Sequence, residues 1–125
     1  MILFFDTETT GKADFRSPPD ANHQPRLVQL AALLTDDSGQ ELASVNLTIR
    51  PAQFTIPKEA SDIHGITTEK ALAVGVPLLH ALTVFHGFVK NCNVRAAHNL
   101  AFDELIMSGE CSRMTVEYPL RAGFC

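Results

Sequence analysis

The segment Ile2–Gly11, with the sequence ILFFDTETTG, indicates the fold class. Its first four residues, Ile2 to Phe5, are all apolar, as is typical of a strand buried on both faces. Asp6 and Glu8 follow directly. Side chains on a strand alternate with period two, so the two carboxylates point the same way, with Cα atoms roughly 6.5 Å apart. Their repulsion favours a divalent cation with oxygen ligands between them. Two solvated carboxylates in a strand-end turn are the alternative, because the pattern is short and common.

Apolar patterns further along the chain predict more strands. Residues 27–34 are apolar except for one glutamine, which indicates a second central strand. Residues 44–49 alternate between polar and apolar, as in a half-buried strand. The turn residues Asp36–Gly39 join these two segments into an antiparallel hairpin. Residues 94–97 predict a further small, buried strand. Between the first two strands, residues 12–25 contain three prolines and predict a long loop beside the first carboxylates.

Four helices are predicted between and after these strands. Residues 57–63 predict a short helix with Pro57 in its first turn. A second begins near Thr67, with Thr67 or Thr68 as its cap. Apolar residues at 78, 82, 85 and 89 predict a third, amphipathic helix. A fourth is predicted over residues 100–108, capped by Asn99 and stopped by Gly109. The combination indicates an α/β domain, a mixed sheet flanked by helices.

Composition is compatible with several functions. The 125 residues, 46% of them hydrophobic, predict one globular domain with no membrane span or signal peptide, and cytoplasmic residence follows as the default. Three scattered cysteines indicate reduced thiols rather than disulfides or a zinc site. A net charge of −4, from ten Lys and Arg against fourteen Asp and Glu, argues against a nucleic-acid-binding protein unless carboxylates hold metal ions that face the phosphates.

A third carboxylate belongs to a second motif. His98-Asn99-Leu100-Ala101-Phe102-Asp103 follows the buried strand at residues 94–97 and begins a helix. Asp103 lies near the N-terminal end of that helix, where the helix dipole favours a negative charge. By itself it is explained by a favourable surface charge. Together with Asp6 and Glu8 it predicts a set of three carboxylates at two strand ends.

The two motifs resemble the first and second exonuclease motifs of the DEDD superfamily of 3′→5′ exonucleases. Residues 56–67, with the sequence IPKEASDIHGIT, also resemble the stretch between those motifs in the epsilon-like branch, which includes the proofreading subunit of bacterial DNA polymerase III. The resemblance implies a ribonuclease-H-like fold and a site with two Mg²⁺ or Mn²⁺ ions. It implies that Asp6 bridges both ions, that Glu8 binds the ion that activates water, and that Asp103 binds the other.

The resemblance also implies a substrate and partners. The substrate is the 3′ end of single-stranded nucleic acid, with DNA favoured over RNA. Residues predicted to bind it are those around the two motifs: Thr7, Thr9, Thr10, Gly11, His64, His98 and Asn99. For His64, a structural role and pocket lining are equally favoured. A DNA polymerase is a further candidate partner.

The third motif of the family, which supplies a general base and a fourth metal-binding aspartate, is not found. Only 22 residues follow Asp103, and residues 110–125 contain neither histidine nor aspartate. We therefore expect residues 1–125 to form one exonuclease-like domain, incomplete at its C-terminal end and lacking the last strand or helix. One weakly bound ion, self-association and little activity are expected. The alternatives are a catalytically inactive module that binds nucleic acid or a polymerase, and an exoribonuclease of the same superfamily.

Overall fold

A computed structural model describes residues 1–119 and 122–124. Five strands form one mixed sheet in the order β3-β2-β1-β4-β5, where β1 is Ile2–Thr9, β2 Leu27–Thr35, β3 Glu41–Thr48, β4 Val94–Ala96 and β5 Ala122–Phe124. The first three strands are antiparallel neighbours, whereas β4 runs parallel to β1 and β5 parallel to β4. The predicted mixed sheet and its hairpin are confirmed. The strand β5 was not predicted.

Four helices accompany the sheet: α1 (Lys58–His64), α2 (Thr68–Val74), α3 (Leu78–Asn91) and α4 (Leu100–Arg113). Pro57 immediately precedes α1, and Thr67 caps α2 by accepting a 3.2 Å hydrogen bond from the backbone N–H of Lys70. The predicted apolar stripe of α3 is buried at Leu82, Phe85 and Val89. None of the described helices is long and apolar enough to cross a membrane.

The hydrophobic core lies between one face of the sheet and the helices α3 and α4. Leu3 and Phe5 of β1 point into it, and the Phe5 ring meets Phe85 edge-on with centroids 5.1 Å apart. The alternate residues of β1 point to the other face, where Phe4 is 42% exposed. The prediction that this strand is buried on both faces is therefore wrong. Burial alternates along β1, as expected when helices cover only one side of a sheet.

The helix α4 corrects two predictions. It continues through Gly109 to Arg113, so Gly109 does not stop it. A Cβ atom at Gly109 would lie 2.2 Å from the carbonyl oxygen of Pro19, so glycine is required there for the close approach of the loop. Asn99 precedes the helix as expected, but its side chain makes no capping bond. Its backbone carbonyl instead accepts from the N–H groups of Phe102 and Asp103.

The loop of residues 12–25 is folded onto the C-terminal half of α4. Buried Gln24 ties the loop together by exchanging hydrogen bonds with the backbone of Asp14. The Ser112 hydroxyl donates to the Asp20 carboxylate at 2.6 Å, and Arg113 donates to the carbonyl of Ala21 at 3.1 Å. These contacts fix the polypeptide that leaves the end of β1, and with it the border of the candidate site.

Two of the three cysteines, Cys92 and Cys111, are buried thiols. Burial raises the pKa of the Cys111 thiol to about 11, and the nearby Glu110 charge acts in the same direction. The prediction of a reduced thiol holds for Cys111, and Cys125 lies outside the described residues.

Candidate active site

Most of the first motif lies in the C-terminal half of β1. The strand β2 is hydrogen-bonded to this half of β1 as far as its last residue. Asp6 pairs with Ala31 and Glu8 with Gln29 across the antiparallel ladder. This pairing keeps the strand extended past Phe5, where the apolar run ends. Asp6 is exposed and Glu8 half-buried, whereas Thr7 between them is buried on the helix side. The predicted shared face of the two carboxylates follows from the period of the strand.

Asp103 is placed against β1 by the first turn of α4. It is 3% exposed, and its Oδ1 accepts two hydrogen bonds from Thr7, one from the backbone N–H at 3.0 Å and one from the hydroxyl at 2.7 Å. Burial raises the pKa of Asp103 above its ordinary value, and the charge of Asp6 raises it further. The bonds from Thr7 lower it. The second motif is thus joined to the first through a buried contact between residues 96 positions apart.

The side chains of Asp6, Glu8 and Asp103 suit a hard divalent cation, because all three are carboxylates. The negative charge of Asp6 also disfavours ionisation of Asp103. A cation between them would relieve that repulsion. Over residues 1–119 and 122–124, however, no three His, Cys, Asp or Glu side chains form a ready-made metal cluster. The residues therefore fit a metal ion by charge and ligand type, without a closed coordination geometry.

A cavity of about 330 Å³ adjoins this group. Its walls are the end of β1, the helix α1 and one residue of α4, and its lining consists of Thr7, Glu8, Thr9, Thr10, Gly11, Lys12, Glu59, Ala60, Ile63, His64 and Phe102. Five of the seven residues predicted to bind substrate are among them. The other two, His98 and Asn99, are exposed and do not line this cavity.

His64 fastens α1 to the end of β1. Its Nδ1 lies 3.1 Å from the N–H of Ile66, which donates to it, and its Nε2 lies 3.2 Å from the carbonyl oxygen of Thr9. A carbonyl only accepts, so in this geometry Nε2 is the donor and Nδ1 the acceptor. Both ring nitrogens are used by the backbone. His64 lines the cavity and stabilises its wall.

Sequence reasoning missed the two large apolar residues of the cavity, Ile63 and Phe102. Ile63 is 84% exposed although it is a large aliphatic residue, and Phe102 is half-buried. Phe102 lies inside the second motif, one position before Asp103. Its position in the first turn of the predicted helix could have indicated that it lines the cavity. Ile63 had no signal beyond the segment that contains it, because exposure of a single apolar residue depends on the tertiary structure.

The sequence matches the family of exonucleases represented by RNase T over residues 3–125. That match covers nearly the whole chain. The chain belongs to the RNase T exonuclease family. The DEDD-type exonuclease domain predicted from the two motifs is confirmed at this level, and exonucleases of this kind generally use divalent metals such as Mg²⁺. No curated protein matches the chain significantly.

Solved structures of exonuclease I have the same fold as this member of the RNase T family. The E. coli enzyme in complex with a dT13 oligonucleotide superposes with a TM-score of 0.81 at 21% identity, covering 98% of this chain and 27% of that one. Exonuclease I from Methylocaldum szegediense gives 0.79 at 22% identity, with coverages of 98% and 27%. The predicted ribonuclease-H-like fold is confirmed. The chain spans about a quarter of the length of these relatives. The narrower resemblance to the epsilon-like branch stays a prediction.

Proposed function

We propose that this domain hydrolyses phosphodiester bonds at the 3′ ends of single-stranded nucleic acid, with DNA favoured over RNA. The observation that carries the proposal is the contact of Asp103 with Thr7, which brings the second motif to the strand that bears Asp6 and Glu8. A cavity of about 330 Å³ opens at the same place. That volume lies at the lower end of the range for small-molecule sites and suits a single nucleotide.

Asp6, Glu8 and Asp103 are the proposed ligands of a divalent cation. When bound, such an ion lowers the pKa of a water molecule and stabilises the charge on the phosphate and leaving oxygen. Asp103 presents one oxygen, because Thr7 occupies the other. The family resemblance implies two ions in a complete site. Three carboxylates that form no closed cluster support weak binding of one ion.

The cavity is the proposed site of the terminal nucleotide. Ile63 and Phe102 supply apolar surface for the base and sugar, and Lys12 supplies a positive charge at the end of the loop. The exposed position of Ile63 is explained by this role, because a large apolar side chain gains from covering a base. His64 holds the two walls together, so the cavity exists before substrate arrives.

The choice of DNA follows the E. coli relative, which is seen with a dT13 oligonucleotide. Discrimination against RNA depends on how a pocket meets the 2′-hydroxyl, so an exoribonuclease remains the alternative within the same superfamily. A proofreading role and a polymerase partner are proposals that rest on the epsilon-like segment around His64.

The test is nucleotide release from 3′-labelled single-stranded DNA and RNA by excess purified chain, with and without Mn²⁺. We expect slow, metal-dependent release of mononucleotides that is lost in Asp6→Ala. Among the residues that the structure describes, His64 is the only histidine that lines the cavity, and both of its ring nitrogens are engaged. A missing general base typically costs about 10²–10⁴-fold in rate. Phe15→Ala, an exposed residue of the loop, is the matched control and keeps the wild-type rate.

Three outcomes would contradict this proposal: release that does not need metal, release that survives Asp6→Ala, or release that starts at the 5′ end. Fast release that vanishes in Asp6→Ala would keep the nuclease but overturn the expected low rate. It would show that a group such as the exposed His98, or one from a second chain, supplies the base.

A catalytically inactive nucleic-acid-binding module is the second candidate. The observation in its favour is that the described residues form no ready-made metal cluster. Against it stands the charge arrangement, because a binding module gains nothing from a buried Asp103 whose ionisation Asp6 disfavours. In the same assay, this candidate predicts strand binding with no release at any Mn²⁺ concentration.

A further inference from the structure

A second cavity, of about 320 Å³, lies between residues 49–54, the start of α3 and the end of α4. We call it the Arg50 cavity. It has no lining residue in common with the candidate active site. Its apolar walls include Ile49, Leu78, Leu79 and Met114. Its volume is within the range of small-molecule and cofactor sites.

The charges around the Arg50 cavity sum to a positive value. Glu110 is 1% exposed, and its Oε1 accepts from Arg26 Nε at 2.9 Å and from Arg113 Nη1 at 2.6 Å. Two arginines thus meet one carboxylate. Arg50 adds another positive charge, is exposed, and has no ion pair within the described part of the chain. In a chain with a net charge of −4, this concentration of cations favours an anionic ligand.

The cavity also offers surfaces for a planar group. The Arg26 guanidinium lies over the Phe54 ring, with Cζ 4.8 Å from the centroid. Leu79 is 44% exposed and Met114 is 39% exposed, although both are apolar. Stacked arginine and aromatic planes beside apolar side chains are the surfaces on which unpaired bases pack. A nucleotide combines such a base with a phosphate.

Arg50 is held in place by its backbone. Its N–H donates to the carbonyl of Val76 at 2.8 Å, and the N–H of Val76 donates to Thr48 at 2.8 Å. Gly75 permits this approach, because a Cβ there would lie 2.5 Å from the backbone nitrogen of Arg50. The backbone at Arg50 is therefore already ordered before a ligand binds, which lowers the entropy cost of binding.

The Arg50 cavity and the candidate active site meet at one pair of residues. The Thr10 N–H donates to the carbonyl of Arg26 at 3.0 Å, and the Arg26 N–H donates to the Thr10 hydroxyl at 2.9 Å. Thr10 lines the first cavity, and the Arg26 side chain lines the second. A ligand that occupies both cavities would therefore pass over this pair, as a short strand of nucleic acid can.

We propose that the Arg50 cavity binds a nucleotide of the single strand whose 3′ end occupies the candidate active site. Arg50 pairs with a phosphate of that nucleotide, and the base packs on Leu79 and on the Arg26 guanidinium that lies over Phe54. This inference rests on the proposed function for the class of ligand. It needs no catalysis, since it concerns binding away from the carboxylates.

The test is fluorescence anisotropy with 5′-labelled oligothymidylates, measured in EDTA so that no strand is cleaved. Arg50→Ala should weaken binding about fivefold and lower the slope of log K against log salt by about 0.7, the value for one phosphate contact with a single strand. The matched control is Arg16→Ala, an exposed arginine whose contact to Asp14 is long at 3.8 Å. Leu79→Asp should also weaken binding, whereas Val84→Asp, on the same helix but outside the cavity, should not.

If Arg50→Ala binds the strand with the same affinity and the same salt slope as the wild type and Arg16→Ala, the inference is overturned. The proposed nuclease activity would still stand. If Arg50→Ala loses binding to an acidic peptide but binds the strand as the wild type does, the cavity binds a protein ligand and the inference is overturned. Absence of strand binding in every variant and in the wild type would count against both the Arg50 cavity and the proposed substrate. Near-ultraviolet circular dichroism of each variant confirms that the fold is kept.

Discussion

Thr7 lies between Asp6 and Glu8 in the chain, but its side chain points to the opposite face of β1. Its backbone N–H and its hydroxyl both donate to Asp103. The buried carboxylate has few other ways to satisfy its oxygens, and an ionised group left unpaired in the interior costs several kcal/mol. Thr7 was predicted to bind substrate. It lines the cavity, but its hydroxyl is already committed to Asp103.

Replacing Thr7 with valine should reduce the free energy of unfolding by about 1–2 kcal/mol at pH 7, because a charge-assisted hydrogen bond is lost without a change in shape. The bond favours ionised Asp103 and lowers its pKa. Its contribution is therefore present when the carboxylate is ionised and decreases as pH falls and Asp103 becomes protonated. Urea unfolding of Thr7→Val at pH 7 and pH 4 measures this difference. Thr7→Ser, which keeps the hydroxyl, is the control, and an equal or larger loss at pH 4 would contradict the prediction.

The sequence suggested which side chains form the proposed site, but not how they contact one another. Asp6, Glu8 and Asp103 were predicted as metal ligands because carboxylates at strand ends have a recognisable spacing. The period of a strand also places Thr7 opposite Asp6, so its inward direction could have been inferred. The hydrogen bond to Asp103 could not, because it joins residues 96 positions apart and depends on how α4 packs.

Among the elements, α4 shows most clearly how tertiary contacts override a local pattern. Gly109 is unfavourable inside a helix, and replacing it with alanine in an isolated helix would gain about 1 kcal/mol. In the protein, the carbonyl oxygen and carbon of Pro19 lie 2.2 Å and 2.9 Å from the position of a Cβ. Both are backbone atoms of a loop that is hydrogen-bonded to Gln24 and to α4, so moving them costs free energy.

We expect Gly109→Ala to lower the free energy of unfolding by about 1–3 kcal/mol, the usual cost of overpacking. Gly87→Ala is the matched control, because Gly87 lies in α3 with nothing within 4 Å of a Cβ, and it should stabilise the protein by about 0.5–1 kcal/mol. Urea unfolding of both variants gives the comparison. A stabilised Gly109→Ala would show that the loop does not press on this helix.

The boundaries of helices and strands were predicted where an apolar pattern runs through the whole element. They were missed where pairing with a neighbouring strand determines how far an element extends. The strand β1 extends four residues beyond Phe5 because β2 pairs along it to Thr9. The strand β5 has three residues, too few for any periodicity to show, and depends on its parallel ladder with β4. In contrast, the spacing of Leu82, Phe85 and Val89 sufficed to predict α3, since each faces the core.

At the scale of the whole molecule, the two faces of the sheet differ. The helices α3 and α4 cover one face, whereas Phe4, Ala31 and Leu33 point to the other, along an open depression of about 520 Å³. Asp6 lies at the edge of this depression, so one of the three proposed metal ligands borders an apolar surface. Contiguous apolar patches on a protein surface commonly mark sites of contact with other molecules.

The exposed apolar face predicts that the chain self-associates in a concentration-dependent way. Phe4 contributes most of the exposed aromatic surface there, at 42% exposure, so Phe4→Thr should weaken the association while keeping a residue that favours strands. Phe15→Thr is the matched control, because Phe15 is more exposed, at 60%, but lies in the loop away from this face. Sedimentation velocity over a wide range of protein concentrations measures the effect. A wild-type chain that stays monomeric at the highest concentration would rule out the predicted association. An equal decrease for Phe15→Thr would show that association depends on general hydrophobicity and not on the open face of the sheet.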